Sequence, residues 1–235
     1  MIIRRKFSLL ICDMAGTIIQ ENGIVYKALA SSLEKVGCSI DGAMMKNWKG
    51  MGKKQVITDT IQKYNASHSL IHEAEDHFKN ELKNMYFESD EICLVDSGIP
   101  DYFNDLQMQG VKIGLNTGYS KDIQDLLIKK FNLDECINSY VSSYDVKHSR
   151  PYPAMIHKLM DINGVCKAQS VIKVGDTLTD IWEAENAGCE LAVGVLSGAC
   201  SRDDFTKVSN TLGIKCLIAD KITNVKFEIP SDFLL

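Results

Sequence analysis

Two apolar runs, each broken off by an aspartate, constrain this chain more than any other feature. Leu9-Leu10-Ile11-Cys12 leads into Asp13, and Val171-Ile172-Lys173-Val174-Gly175 leads into Asp176. A short apolar run of this kind reads as a strand buried in a parallel sheet. Ligand sites in open parallel sheets lie beyond the carboxyl ends of such strands. The two aspartates, far apart in the chain, are therefore expected at one sheet edge. There they would hold a hard cation and leave one oxygen free to attack phosphorus.

The rest of the pattern agrees with a parallel sheet. Strand-like runs cover 7–13, 111–117, 137–142, 171–176 and 191–196. Helical stretches at 101–109, 119–131, 153–163 and 180–187 alternate with them, which implies right-handed crossovers. Ser120 and Thr179 are expected as helix N-caps and Gly188 as a C-terminal stop. Residues 23–96 differ, with helical patterns at 26–36, 42–48, 53–64 and 69–87 and no convincing strand. Asn22-Gly23 before them favours a tight hairpin. The expected architecture is an α/β core formed by 1–22 and 97–235, with an all-helical cap, 23–96, inserted after the first strand. The tail from Cys216 reads as a last small strand and surface segment.

Composition excludes several classes. A net charge of −5 argues against nucleic acid or an anionic membrane as partner. The eight cysteines form no CxxC pair, so a zinc ribbon is not expected and the thiols read as reduced, in a cytoplasmic protein. Arg4-Arg5-Lys6 imitates the start of a signal peptide, but the apolar run after it stops at Asp13, short of the usual length.

Four ordered motifs then carry a resemblance. Asp13-Met14-Ala15-Gly16-Thr17 resembles the nucleophile loop of the haloacid dehalogenase superfamily, in the form of its phosphonatase branch. Residues 110–119, with Asn116-Thr117-Gly118, are similar to the second motif, Ser149-Arg150-Pro151 to the third, and Gly175-Asp176-Thr177-Leu178-Thr179-Asp180 to the fourth. The resemblance implies a Rossmann-like core and a Mg²⁺-dependent hydrolase of small phosphorylated or phosphonate metabolites, and leaves a homodimer open. It implies that Asp13 is the nucleophile, and that Asp13, the Ala15 carbonyl, Asp176 and Asp180 serve the metal. Thr117, Gly118, Arg150 and the Gly16 turn would meet the phosphoryl group.

The chain also departs from the family. Ordinary phosphatases of the superfamily carry a second aspartate where this chain has Ala15; the phosphonatase branch has alanine there and relies on a cap lysine that forms a Schiff base. That lysine falls four residues after the Met of a Met-Gly pair. Here Met51-Gly52 is followed at that place by Gln55, and Thr58 replaces the family's histidine. Lys53 and Lys54 are nearby, but helical geometry turns Lys54 away from the Gln55 direction and Lys53 further still. Both are expected in solvent unless a shifted helix start brings one in as the imine-forming residue. Substrate choice is expected near Lys49, Met51, Gly52, Lys53, Lys54 and Gln55. His68, His72 and His77 read as surface residues. Two alternatives stand beside phosphate hydrolysis: phosphonoacetaldehyde hydrolysis through Lys53 or Lys54, and a catalytically impaired phospho-ligand-binding protein.

Overall fold

The structure, a computed structural model, describes residues 1–20, 22–48, 51–64, 67–87, 92–209 and 211–229. The first elements in chain order are β1 (Ile2–Arg4), β2 (Leu9–Asp13) and β3 (Ile19–Gln20). Four helices follow: α1 (Ile24–Lys35), α2 (Gly42–Asn47), α3 (Lys53–Lys63) and α4 (Leu70–Phe87). Next come β4 (Cys93–Leu94), α5 (Ile99–Met108), β5 (Lys112–Thr117), α6 (Lys121–Lys130), β6 (Ser139–Ser142) and α7 (Ala154–Asn163). The chain continues with β7 (Val171–Gly175), α8 (Leu178–Asn186), β8 (Leu191–Val195), α9 (Arg202–Ser209), β9 (Lys215–Ala219) and β10 (Lys226–Glu228).

The central sheet has six parallel strands in the order β6-β5-β2-β7-β8-β9. Counted along the chain, β2 comes first and the order reverses beside it, the switch point at which such sheets bind ligands. Strand β2 is buried throughout. Its Leu9 and Ile11 face a layer with Ile156 and Leu159 of α7 and Ile181 of α8. Leu10 and Cys12 face the opposite layer, with Phe103 of α5 and Leu127 of α6. That alternation follows from the two-residue period of a strand. Each large apolar side chain so buried contributes about 1.5–3 kcal/mol.

Helices α1, α3 and α4 pack on one another through apolar stripes. In α3 the inward positions are Lys53, Val56, Ile57, Thr60 and Ile61, the helical spacing of a single face. In α4 they include Ala74, Phe78 and Leu82.

Several expectations are corrected. The helical segment is closed by a short antiparallel pair, β3 with β4, so Cys93–Leu94 is a strand within 23–96. Asn22 and Gly23 adopt the positive φ values of a tight turn (49° and 74°), yet they open directly into α1, with Gly23 at its N-cap. The N-cap of α8 is Thr177, not Thr179; Asp180 completes its capping box through the Thr177 N–H. Gly188 follows the C-cap with φ 76°. The tail supplies the sixth core strand, β9, while β10 pairs in parallel with β1 apart from the main sheet. Helix α9 escaped sequence reading because its single buried residue, Phe205, makes no stripe.

Candidate active site

Asp13 is the last residue of β2 and lies in register with Asn116 of β5. Cys12 pairs with Val174 of β7, so the next strand over ends beside it in Gly175 and Asp176. The parallel register thus brings the two aspartates together. Arg150 reaches them from the loop before α7. Its guanidinium donates to Asp13 Oδ1 at 2.6 Å and stands 3.0 Å from Asp180 Oδ1. Its Nε lies 3.5 Å from Glu183 Oε2, close enough for an ion pair but without hydrogen-bond geometry. All four groups are buried. Burial pushes the Asp13 carboxyl above the usual carboxylate range, against the pull of Arg150. Burial opposes the charge on Arg150 too, but Asp13, Asp180 and Glu183 outweigh it and hold the guanidinium protonated.

Asp13, Asp176 and Asp180 each offer a carboxylate oxygen, and these atoms lie within 4.8 Å of one another. This group could hold a metal ion. The donors are hard oxygens, and three carboxylates beside Arg150 and Lys173 leave the cluster net negative, so the residues fit a divalent cation. Asp180 is the most heavily engaged of the three. Its Oδ1 faces Lys173 Nζ (2.8 Å) and Arg150, and its Oδ2 accepts from the Thr177 N–H (3.2 Å) and Oγ1 (2.5 Å). Burial alone would raise its pKa; Arg150 and Lys173 hold it below the ordinary value instead.

Beneath these residues is a layer that the motif reading passed over. Lys173, at 0% exposure on β7, donates to Asp180, to Asn116 Oδ1 at 3.0 Å and to the Val174 carbonyl at 3.1 Å. The Asn116 amide donates in turn to both oxygens of Glu183, at 3.1 and 3.0 Å. Burial pushes Glu183 up to about 7, against Lys173 and Arg150. A lysine in the middle of an otherwise apolar run was the visible signal, because a charge inside a doubly covered strand requires buried partners.

A cavity of about 310 Å³ opens over the cluster. Asp13, Ala15, Gly16, Thr117, Gly118, Arg150 and Asp176 line its floor. Thr117 Oγ1 accepts from the Tyr119 N–H at 3.3 Å. A Cβ on Gly118 would come 3.1 Å from the Met51 carbonyl, so glycine permits the close approach of the helical segment there. Gln20, Asn22, Tyr26 and Lys53 line it as well, and Lys53 lies against Gly118, to whose carbonyl its backbone N–H donates at 3.3 Å.

Lys53 is the main correction. It is 6% exposed, donates to the Met51 carbonyl at 3.2 Å, and its Nζ sits 4.9 Å from the centre of the Tyr26 ring. Lys54 is exposed, over the Tyr144 ring, and exposed Gln55 donates to Asp59 at 2.6 Å; neither lines the cavity. Met51 is half-buried and offers its carbonyl rather than a place on the cavity wall. The apolar stripe of α3 explains the outcome, since Lys53 stands three and four residues before Val56 and Ile57 and shares their face. Lys49 lies outside the described residues. His68 and His72 are exposed, and His77 is paired with Glu73 on the surface of α4.

Sheet order, switch-point aspartates and the arginine beside them define a candidate ligand site at the carboxyl edge of a doubly wound α/β core. The chain belongs to the haloacid dehalogenase-like hydrolases, whose family model matches residues 10–194. Among curated proteins it is similar to the phosphonoacetaldehyde hydrolase of Bacillus cereus, 34% identical over 128 residues, 51% of this chain and 48% of that one. The chain thus spans about half the length of the curated relatives it matches. Among solved structures it is similar to a phosphonoacetaldehyde hydrolase-like protein from Oleispira antarctica (TM-score 0.76, 22% identity, 94% of this chain and 90% of that one). A hydrolase from Pseudomonas syringae aligns with TM-score 0.77 at 17% identity, over 92% of this chain and 94% of the other. At such identities the likeness concerns the fold. No helix among the described residues is long and apolar enough to cross a membrane.

Proposed function

We propose that this chain is a Mg²⁺-dependent hydrolase of a small phosphorylated or phosphonate metabolite, acting through an aspartyl-phosphate on Asp13. The observation that carries the reading is the Asp13 carboxylate, paired with Arg150, grouped with Asp176 and Asp180, and open to the cavity. Asp13, the Ala15 carbonyl and Asp176 would hold Mg²⁺, with Asp180 serving it directly or through water. The ion, when bound, would offset negative charge on the phosphoryl oxygens. Residues 1–22 and 97–235 form the catalytic core in this reading, and 23–96 form a lid that excludes water.

Asp13 attacks phosphorus and the bond to the leaving group breaks, its electron pair leaving with that group. Arg150 and the Thr117–Gly118 turn orient and stabilise the phosphoryl oxygens. Water then attacks the acyl phosphate, freeing phosphate and Asp13. Ala15 cannot protonate a leaving oxygen, so that proton must come from elsewhere. Lys53, which lines the same cavity, is the candidate.

The position of Lys53 also favours a second reading, carbon–phosphorus cleavage. A neutral Lys53 amine would condense with a substrate aldehyde and expel water. The electrons of the broken P–C bond would then flow into the protonated imine to give a neutral enamine, which protonation at carbon and hydrolysis would return to aldehyde and free lysine. Phosphate release from a panel of small phosphate esters and phosphonates, with Mg²⁺ and with EDTA, tests the first reading. Borohydride trapping with phosphonoacetaldehyde tests the second. Metal-independent release would remove the Mg²⁺ assignment; no release from any substrate would leave a phospho-ligand-binding protein instead.

A further inference from the structure

The loop after β8 enters the site without belonging to any of the four motifs. It is anchored at both ends. The Leu196 N–H donates to Ala219 O of β9 at 2.9 Å, and the Cys200 N–H donates to the Asp176 backbone carbonyl at 3.1 Å. Between these anchors, residues 197–199 line the cavity beside Asp13 and Asp176.

Three contacts tie this segment to the acidic cluster. The Ala199 N–H donates to Asp176 Oδ2 at 2.7 Å. Ser197 Oγ donates to the Gly16 carbonyl at 2.6 Å, joining the loop to the turn that follows Asp13. Gly198 is packed so closely that a Cβ on it would overlap the Asp176 carboxylate. Gly16 meets the same carboxylate; a Cβ there would also overlap Asp176 Oδ2 and lie 3.0 Å from the Gly198 Cα. Thr17 Oγ1 approaches Asp176 Oδ1 at 3.4 Å. The carboxylate therefore sits in a slot with two glycine walls, held by a backbone N–H whose own position is fixed.

We propose that residues 197–199 are a positioning element of the metal site: Gly198 makes room for the Asp176 carboxylate, the Ala199 N–H sets its direction, and Ser197 locks that direction to the nucleophile turn. Two features support an orienting role over simple packing. The donor from Ala199 acts on a carboxylate that a cation would share. The Ser197 bond connects the two halves of the ligand set, Asp13–Gly16 and Asp176, which otherwise come from separate strands. Groups that orient metal-binding carboxylates typically matter about 10–100-fold in metal affinity. The inference rests on the metal reading proposed above.

The test is Mn²⁺ binding to the metal-free full chain, followed by the electron paramagnetic resonance of free Mn²⁺. Thermal midpoints are measured in EDTA. Gly198→Ala should weaken Mn²⁺ binding about 10-fold or more, with the metal-free midpoint reporting whether the fold is retained. Ser197→Ala, which adds no atoms, should weaken it about 2- to 10-fold. At saturating metal, the KM for substrate should move less than the Mn²⁺ affinity. Wild-type affinity in both variants would overturn the proposal and leave the metal reading intact. If Gly198→Ala does not fold, unchanged binding by Ser197→Ala overturns it. A wild-type chain that binds no Mn²⁺ would overturn both this proposal and the metal reading.

Discussion

The sheet and the helical segment contribute differently built charged groups to the cavity. At the sheet end every charged group has several fixed partners: Arg150 faces Asp13, Asp180 and Glu183, and Lys173 faces Asp180, Glu183 and Asn116. In the helical segment Lys53 comes from the first residue of α3 and rests on a backbone carbonyl and an aromatic face. A buried ionic network keeps its geometry because losing any member strands a charge in a low-dielectric interior. A lysine on a helix start can be exchanged at smaller structural cost. In the proposed reading, the phosphoryl chemistry lies in the sheet and the choice of leaving group in the helical segment.

The largest expected effect belongs to the sheet end. Asp13→Asn should lower phosphate release by about 10³-fold or more without loss of folding, measured on the best substrate of the panel. Equal turnover would remove the contrast altogether. Lys53→Met should lower kcat/KM about 10²-fold, the usual scale for a lost proton donor. Lys53→Arg separates the two readings: it retains a cation but cannot form the imine, so substantial activity would exclude carbon–phosphorus cleavage through this residue.

Lys173→Met probes stability. Removing one partner of a buried pair typically costs about 3–5 kcal/mol, and a matched loss in denaturant midpoint is expected. A loss no larger than that of Lys54→Met would mean that the network is not rigid. Glu183 gives a smaller, pH-dependent signal. Its carboxyl titrates near 7 when folded against an ordinary 4.5, so across that interval the folded chain keeps a proton the unfolded chain has released. Stability from the neutral group is complete below the lower value and lost as pH rises through the upper one. In EDTA, Glu183→Gln should flatten that loss between about pH 5 and about pH 7.5, by on the order of 1 kcal/mol. The smallest effects should come from Lys54→Ala and Gln55→Ala, each changing kcat/KM by no more than about twofold, as expected for exposed residues away from the cavity.

The strands were legible because β2, β5, β7 and β8 are short, apolar and punctuated, and the helical segment because its stripes repeat at helical spacing. Elements without a stripe were not: α9 buries a single residue, and β3 and β4 are two residues each. At the site, Asp13, Thr117, Arg150 and Asp176 stood out as chain-local patterns. The error over Lys53 arose from fixing the inward direction of α3 by the family's Gln55 position, when Val56, Ile57 and Ile61 marked the other face.

The amino-acid sequence alone determined the core strands β2, β5, β7 and β8 and the striped helices, since hydrophobic period is a local property, and which residue types stand at strand ends. Only the tertiary structure decided that Lys173 and Glu183 underlie Arg150, that Lys53 enters the cavity, and that the loop after β8 grips Asp176. Those contacts join residues from separate elements. Their existence depends on sheet order and register, which no single stretch of chain encodes.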